Sequence, residues 1–113
     1  MIRVRFYDPL PRLIQIGKKD TTWRINDEKE ISCRDELSLC YSDGPNKENE
    51  FARAIVIWIK ETTFAELTNE DYEGHEKFVS EKEMYETYSR YYNIGIFPQT
   101  RVKVIKFKLL NNL

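Results

Sequence analysis

The chain has little of the chemistry that marks a metal site or a disulfide framework. Its 113 residues include two cysteines and one histidine. Cys33 and Cys40 form no CxxC pair, and the single histidine, His75, leaves no zinc-ligand spacing. We therefore expect reduced, structural thiols and no metal. No cofactor motif is present, and no cofactor is expected.

Long apolar runs are also lacking. No stretch approaches the roughly 20 residues that a helix needs to cross a bilayer. The first residues, MIRVRFYDP, alternate charged and apolar side chains and contain no apolar core of a signal peptide. These patterns predict a cytoplasmic protein without a membrane partner.

The chain has no large excess of either charge. Its formal net charge is −1 and its pI is about 5.9, which disfavours a protein that grips long nucleic acid by bulk electrostatics. The charges are nevertheless uneven, since residues 94–113 hold four Lys or Arg and no Asp or Glu. If the two ends of the chain pair in one sheet, they form a basic patch suited to a small ligand or a short RNA segment.

Hydrophobic residues, by contrast, are plentiful enough for a core. They make up 41% of the chain against 33% charged residues. At this length the chain is expected to form a single domain over residues 1–113. Oligomeric state leaves no signature in this sequence.

Alternating and β-branched patterns predict most of the strands. The segment 51–62 is apolar on both faces and includes Trp58, so we expect it to be covered on both sides. In the final strand the alternation slips between Val104 and Ile105, which predicts a bulge. The predicted strands are 2–7, 21–25, 36–42, 51–62 and 100–110.

Capping residues predict three helical segments. Asp8 and Pro9 suggest a start for a helix over 9–16, and Gly17 suggests its end. Thr68 and Asp71 resemble a capping box for a short helix over 68–78 that Gly74 interrupts. Ser80 and Glu83 form a capping box for the clearest helix, 80–93, which Asn93 ends and whose stripe of Met84, Tyr88 and Tyr91 or Tyr92 is expected to pack in the core.

The stretch GKKDTTWRI, residues 17–25, crowds cations and hydroxyls beside a turn glycine. It is either a polar turn or one wall of a ligand pocket. In a regular strand Lys19 and Thr22 point to opposite faces, because the side-chain period is two. For both to meet one ligand, the turn after Gly17 must extend past Lys19.

Three separated stretches resemble one family. They are GKKDTTWR, FAELTNEDYEG, and FVSEKEM followed by the tyrosines and the closing VKVIKFKLL. In this order they resemble the ASCH domain family, from about residue 10 to residue 110. That resemblance implies an α+β fold, a PUA-like β-barrel of five to six strands with two to three helices packed outside.

The resemblance also implies a site. The small acetylcytidine amidohydrolases of the family remove an acetyl group from the exocyclic nitrogen of a cytidine. Their catalytic lysine, nucleophilic threonine and acid fall on Lys19, Thr22 and Glu73. The resemblance further implies ligand contacts from Gly17, Lys18, Arg24 and Gly74.

This sequence departs from the family pattern near that site. Asp20 directly follows Lys19, and residues 75–77 look like an insertion between Gly74 and Phe78. Arg34 also stands where the family usually has glycine before an aspartate. Three functions stay open: recognition of RNA or a modified nucleoside, hydrolysis of an acylated cytidine, and a coactivator-like protein-interaction module. Under the catalytic hypothesis, Lys19, Thr22 and Glu73 line one cleft.

Overall fold

Five strands form one sheet in the computed structural model, which describes residues 1–27 and 29–112. The spatial order of the strands is β1-β3-β4-β5-β2. Only β1 and β3 are parallel; the other neighbours are antiparallel. The strands are β1 (Ile2–Phe6), β2 (Thr21–Arg24), β3 (Glu36–Tyr41), β4 (Glu50–Thr63) and β5 (Arg101–Asn112).

The helices lie in the connections between these strands. They are α1 (Leu10–Gln15), α2 (Asn69–Tyr72) and α3 (Glu81–Tyr92), and a 3₁₀ turn covers Phe64–Glu66. The sheet curls into a half-barrel, so the predicted α+β, PUA-like fold is confirmed. None of the helices in the described part of the chain is long and apolar enough to cross a membrane.

Both faces of the sheet carry buried hydrophobic residues, in two clusters. Ile105 belongs to the first, together with Phe6, Leu39 and Phe107; we call it the Ile105 cluster. Its neighbour Val104 belongs to the second, the Trp23 cluster, whose other members include Trp23, Phe64, Met84 and Tyr88. The sheet therefore separates two cores, and α3 covers the second.

The bulge predicted between Val104 and Ile105 is wrong. Both residues keep the register, opposite Lys60 and Ile59 of β4. Both are fully buried because β5 is covered on both faces. Two consecutive apolar residues in such a strand look like a break in the alternation even though no residue is inserted. One irregularity lies instead on β4, where Val56 and Trp58 pair with consecutive β5 residues and Ile57 is left over.

The position of Ile57 also shows that the predicted burial of β4 on both faces is only partly right. Ile57 is exposed, so this strand is not covered along its whole length. Ala54 and Val56 are buried, while Trp58 is only partly buried against the Trp23 cluster. The double-sided burial predicted for 51–62 thus holds for part of the strand.

Ser80 and Asn93 cap the longer helix as predicted, but the Glu83 half of the predicted capping box is displaced, since Glu83 Oε1 accepts from Val79 N at 3.3 Å. Ser80 Oγ accepts a hydrogen bond from Glu83 N at 3.2 Å, and Asn93 ends α3 with φ of 54°. Gly17 ends the α1 segment with φ of 82°, as predicted. Asp8, however, does not cap α1, because Pro9 occupies the cap position without a side-chain bond.

The second helix is shorter than predicted. Asp71 Oδ2 accepts from Thr68 N at 2.8 Å, which is the acidic half of the predicted capping box. The helix then stops at Tyr72 instead of continuing to residue 78. Gly74 adopts φ of 77° and turns the chain away from the helical path.

Candidate functional site

The two edge strands, β1 and β2, approach each other without pairing through their backbones. Side chains bridge the gap instead. Arg24 Nη2 donates to Arg5 O at 2.9 Å, and Lys29 Nζ donates to Arg3 O at 2.6 Å. Because the half-barrel is left open along this line, we call it the seam.

A cavity of about 240 Å³ opens at the seam. Each edge strand supplies one wall, and the last turns of α3 supply a third. The turn before β2 and the loop after Gly74 supply its charged residues. The cavity is lined by Arg5, Phe6, Tyr7, Leu10, Lys19, Thr22, Trp23, Arg24, Ser42, Glu76, Tyr88, Tyr91 and Tyr92.

Lys19 reaches the cavity because the turn after α1 is long. The amides of Lys18 and Lys19 both donate to Leu13 O, at 2.8 and 3.1 Å, and β2 begins only at Thr21. Lys19 is therefore not part of a regular strand. The expectation that the turn extends past Lys19, so that it shares a pocket with Thr22, is met.

The ammonium of Lys19 is buried and paired with Glu76. Lys19 Nζ lies 2.5 Å from Glu76 Oε2 and 2.7 Å from Thr21 O. The side chain of Lys19 is 3% exposed and that of Glu76 is 27% exposed. The pair thus has its lysine in the protein interior and its carboxylate nearer to solvent.

Burial and ion pairing shift the pKa values of Lys19 and Glu76 with different net results. Burial lowers the pKa of Lys19 to about 8, even though Glu76 stabilises its charged form. Burial alone would raise the pKa of Glu76, but the ammonium of Lys19 outweighs it and the pKa of Glu76 is lowered. The difference follows from exposure, since the more deeply buried Lys19 loses more hydration.

Thr22 and Arg24 form the part of the site that lies on β2. Arg24 Nε donates to Thr22 Oγ1 at 3.1 Å, and the guanidinium carbon lies 4.7 Å from the centre of the Phe6 ring. Within the described residues Arg24 has no carboxylate partner. Its charge is therefore available to a ligand oxygen.

Glu73 does not lie in this cavity. Its side chain is exposed and borders a separate depression with Asn69, Tyr72 and Lys77. Only its backbone contributes here, because Glu73 O accepts from Thr21 Oγ1 at 2.7 Å. The prediction that Glu73 lines one cleft with Lys19 and Thr22 is wrong, and Glu76 occupies that place.

The loop after α2 is fastened to the start of β2, which brings Glu76 to Lys19. The amides of Asp20 and Thr21 both donate to Gly74 O, at 2.9 and 3.1 Å. A Cβ on Gly74 would lie 1.8 Å from Asp20 Oδ1, and Asp20 is paired with Lys106 at 2.8 Å. Gly74 therefore holds the loop in place and does not line the cavity.

His75 serves as packing beside the site. Its ring stacks on Trp23 with centroids 3.7 Å apart. Its Nδ1 lies 2.8 Å from Glu76 O, which can only accept, so Nδ1 carries the proton. Tyr88 OH then donates to Nε2 at 2.8 Å. Burial lowers the pKa of His75 to about 3, so the ring is neutral at physiological pH.

Comparison with solved structures places this architecture among known folds. No family model and no curated protein matches the sequence. A DUF984-family protein from Enterococcus faecalis aligns with a TM-score of 0.72 and 11% identity, covering 100% of this chain and 83% of its own. An ASCH domain from Lactobacillus crispatus aligns with a TM-score of 0.66 and 12% identity, covering 96% and 79%. A variant ASCH protein from Zymomonas mobilis gives 0.63 and 13%, covering 98% and 71%.

This chain has an ASCH-like fold. The fold implied by the three sequence stretches is thereby confirmed. Identities of 11–13% show the fold alone, so the activity of the site has to be inferred from the chemistry of its own residues.

Within the ASCH-like fold, some of the remaining predicted site residues line the cavity and others lie at the surface. Arg24 lines the cavity, as do Lys19 and Thr22. Gly17 and Lys18 are exposed and do not line it. No group of three or more His, Cys, Asp or Glu side chains is placed to hold a metal ion in residues 1–27 and 29–112.

Sequence reasoning missed the most informative residue of the site. Glu76 lies among the three residues, 75–77, that look like an insertion. The signal for it was indirect: a buried lysine requires a carboxylate, and the nearest acid after the Gly74 turn is Glu76. Tyr91 and Tyr92 were also missed as cavity residues, because a helical tyrosine stripe favours core packing. Tyr7 was missed because it falls at the end of a predicted strand.

Proposed function

We propose that the cavity binds a modified nucleoside and hydrolyses an amide of the N4-acetylcytidine type. The observation that supports this most directly is the buried Lys19, with a pKa of about 8, which lines the same cavity as Thr22. An ordinary lysine is almost fully protonated at neutral pH and cannot act as a base. With this pKa, about one Lys19 in ten is neutral at pH 7.

The contacts of Lys19 leave room for that role. A neutral amine has two N–H groups and one lone pair. Glu76 Oε2 and Thr21 O are the two acceptors that surround Nζ. With both N–H groups donated to them, the lone pair remains to take a proton. Glu76 is then a positioning residue, which orients the lysine and controls its pKa.

The reaction divides into two steps. The Thr22 hydroxyl attacks the amide carbonyl carbon and its proton passes to Lys19, while Arg24 N–H groups donate to the developing oxyanion. The C–N bond breaks, and the cytidine nitrogen leaves with the proton from Lys19. Water then hydrolyses the acyl-threonine ester, which releases acetate and restores the hydroxyl.

The proposal is tested by incubating the pure protein with N4-acetylcytidine and separating the products by chromatography. We expect cytidine and acetate from the wild type, with a rate that rises with pH through about 8. Thr22→Ala should abolish turnover, and Lys19→Met should lower it by about 10²–10⁴-fold. Glu73→Gln is the matched control, because its exposed side chain borders a different depression and turnover should not change.

Binding without catalysis is the second candidate, and one observation favours it. Although both side chains are described, no hydrogen bond joins Lys19 Nζ to Thr22 Oγ1, and Arg24 engages the hydroxyl instead. Under this function the wild type shows no turnover, and Lys19→Ala or Arg24→Ala weakens nucleoside affinity. A short RNA would bind with an affinity that falls steeply with salt. RNA binding, protein interaction and a cytoplasmic location stay predictions.

A further inference from the structure

Two tyrosines stand at the mouth of the cavity with their rings parallel. Tyr7 follows the end of β1 and Tyr91 lies in the last turn of α3. Their planes differ by 6° and their centroids are 6.1 Å apart. Each is about half exposed, 50% for Tyr7 and 49% for Tyr91, although both line the cavity.

The ring of Tyr91 and the backbone of Tyr7 are held in place by neighbouring residues. Tyr91 packs edge-on against the buried Tyr88, at 5.8 Å and 89°, and Tyr88 is anchored by its hydrogen bond to His75. The backbone of Tyr7 is fixed at the other wall, where Leu10 N donates to Tyr7 O at 2.9 Å. The Tyr91 ring and the Tyr7 backbone therefore do not have to be ordered when a ligand arrives, which lowers the entropic cost of binding.

We infer that Tyr7 and Tyr91 form a stacking subsite for the planar base of the ligand. A flat ring aligned with one tyrosine is aligned with the other, because the two planes are parallel. Aromatic side chains stack on any nucleobase through its π-face. Specificity for planarity therefore comes from the tyrosines, while the charged residues deeper in the cavity meet the polar edge of the base.

This inference rests on the proposed function, and it predicts a preference that the charged residues do not provide. Reduction of N4-acetylcytidine by borohydride saturates and puckers the ring but keeps the ribose and the acetyl group. Stacking is lost in the reduced compound. We therefore expect the protein to bind the planar compound more tightly than the reduced one.

The experiment measures the Kd of both compounds by titration calorimetry, in a Thr22→Ala background that prevents turnover. Tyr7→Ala and Tyr91→Ala should each weaken the Kd for N4-acetylcytidine about tenfold. The Kd for the reduced compound should stay the same. Tyr7→Phe and Tyr91→Phe keep the ring and should keep the affinity. Phe97→Ala, at an exposed aromatic residue outside the cavity, is the control and should change neither Kd.

The outcomes separate the inference from the function on which it rests. If the tyrosine variants bind N4-acetylcytidine as tightly as their background, the subsite is refuted and the proposed function stands. Equal weakening for both compounds also refutes stacking, because the contact would then not depend on planarity. If the Thr22→Ala protein with both tyrosines binds neither compound, and the wild type shows no turnover, the proposed function is refuted and the subsite with it.

Discussion

Lys19 and Asp20 are neighbours in the chain, yet their ion pairs lie in different surroundings. Lys19 meets Glu76 on the cavity side, where the lysine is 3% exposed. Asp20 meets Lys106 at 2.8 Å on the open side, where the aspartate is 44% exposed. Both pairs are short, so distance does not distinguish them. Burial does, because the loss of hydration lowers the pKa of the Lys19 ammonium to about 8.

The same turn therefore has two sides with different roles, the cavity side and the open side. On the cavity side Lys19, Glu76 and His75 have lost much of their contact with water. On the open side Asp20 and Lys106 hold the Gly74 loop against the start of β2. We expect changes on the cavity side to be costly and sensitive to pH, and changes to the open-side pair to be mild and sensitive to salt.

Acidification should have the largest effect, and it acts on the cavity side. His75 has an ordinary pKa of 6.5 in the unfolded chain and about 3 in the folded one. Because the folded value is lower, its stabilisation is complete above pH 6.5 and is lost as the pH falls towards 3. The loss amounts to about 4–5 kcal/mol. Denaturant titrations between pH 7 and pH 3.5 measure it.

The single histidine makes this prediction easy to check. NMR signals of the imidazole should stay those of the neutral Nδ1–H form down to about pH 4. A His75→Gln variant, although less stable, should show a flatter pH dependence between 6.5 and 4.5. An imidazole that titrates near its ordinary pKa would contradict the buried, stacked position.

Removal of the carboxylate from the buried pair should have the next largest effect. Glu76→Gln leaves the Lys19 ammonium without its partner and should cost about 3 kcal/mol at pH 7. The pKa of Lys19 falls further in this variant, since burial is no longer opposed. The cost should therefore shrink above pH 8, where the wild-type lysine also becomes neutral.

Stability measurements at pH 7 and pH 9 check this. The matched control is Lys19→Met combined with Glu76→Gln, which removes the uncompensated charge and should recover part of the loss. An equal cost at both pH values would mean that Glu76 acts by packing alone.

A comparison of two glycines should measure how much the close approach of Gly74 to Asp20, on the open side, affects stability. Gly17 and Gly74 have nearly the same φ, 82° and 77°. A Cβ on Gly17 would meet no atom of the described residues within 4 Å, whereas one on Gly74 would lie 1.8 Å from Asp20 Oδ1. Gly17→Ala should cost about 1 kcal/mol from backbone strain alone. Gly74→Ala should cost roughly twice as much, because Asp20 must also move.

Thermal unfolding of both variants measures the difference. Adding Asp20→Ala to Gly74→Ala should relieve the crowding and leave only the backbone strain. Identical costs for the two glycine variants would show that the Asp20 contact is unimportant.

The sequence predicts the parts of this molecule that depend on neighbours in the chain. Gly17, Ser80 and Asn93 act within one turn of their positions, and their predicted roles are confirmed. The central alternation of β5 was misread because Val104 and Ile105 contact different cores, which is a property of the whole sheet. Tertiary burial overrode the local pattern there.

The site, too, could be predicted only where it depends on residues that are close in the chain. Lys19, Thr22 and Arg24 lie within six residues and were predicted together on the cavity wall. Their carboxylate comes from a loop whose direction is set by the positive φ of Gly74 and by two amides of another strand. The family's acid, carried across by motif, therefore fell on Glu73, whose side chain lies at the surface.

Salt should have the smallest effect, and it separates the two ion pairs most cleanly. Asp20→Asn removes the charge of a half-exposed pair and should cost at most about 1 kcal/mol at low ionic strength. Raising the salt from about 0.01 M to about 1 M shortens the Debye length from about 30 Å to about 3 Å, so this cost should largely disappear. The cost of Glu76→Gln should remain, because ions cannot enter around the buried Lys19 ammonium. Chemical denaturation with urea, which adds no ions of its own, measures both variants at the two salt concentrations. If both costs vanished together at high salt, Lys19 would be hydrated in solution, and burial would no longer distinguish the cavity side of the turn from the open side.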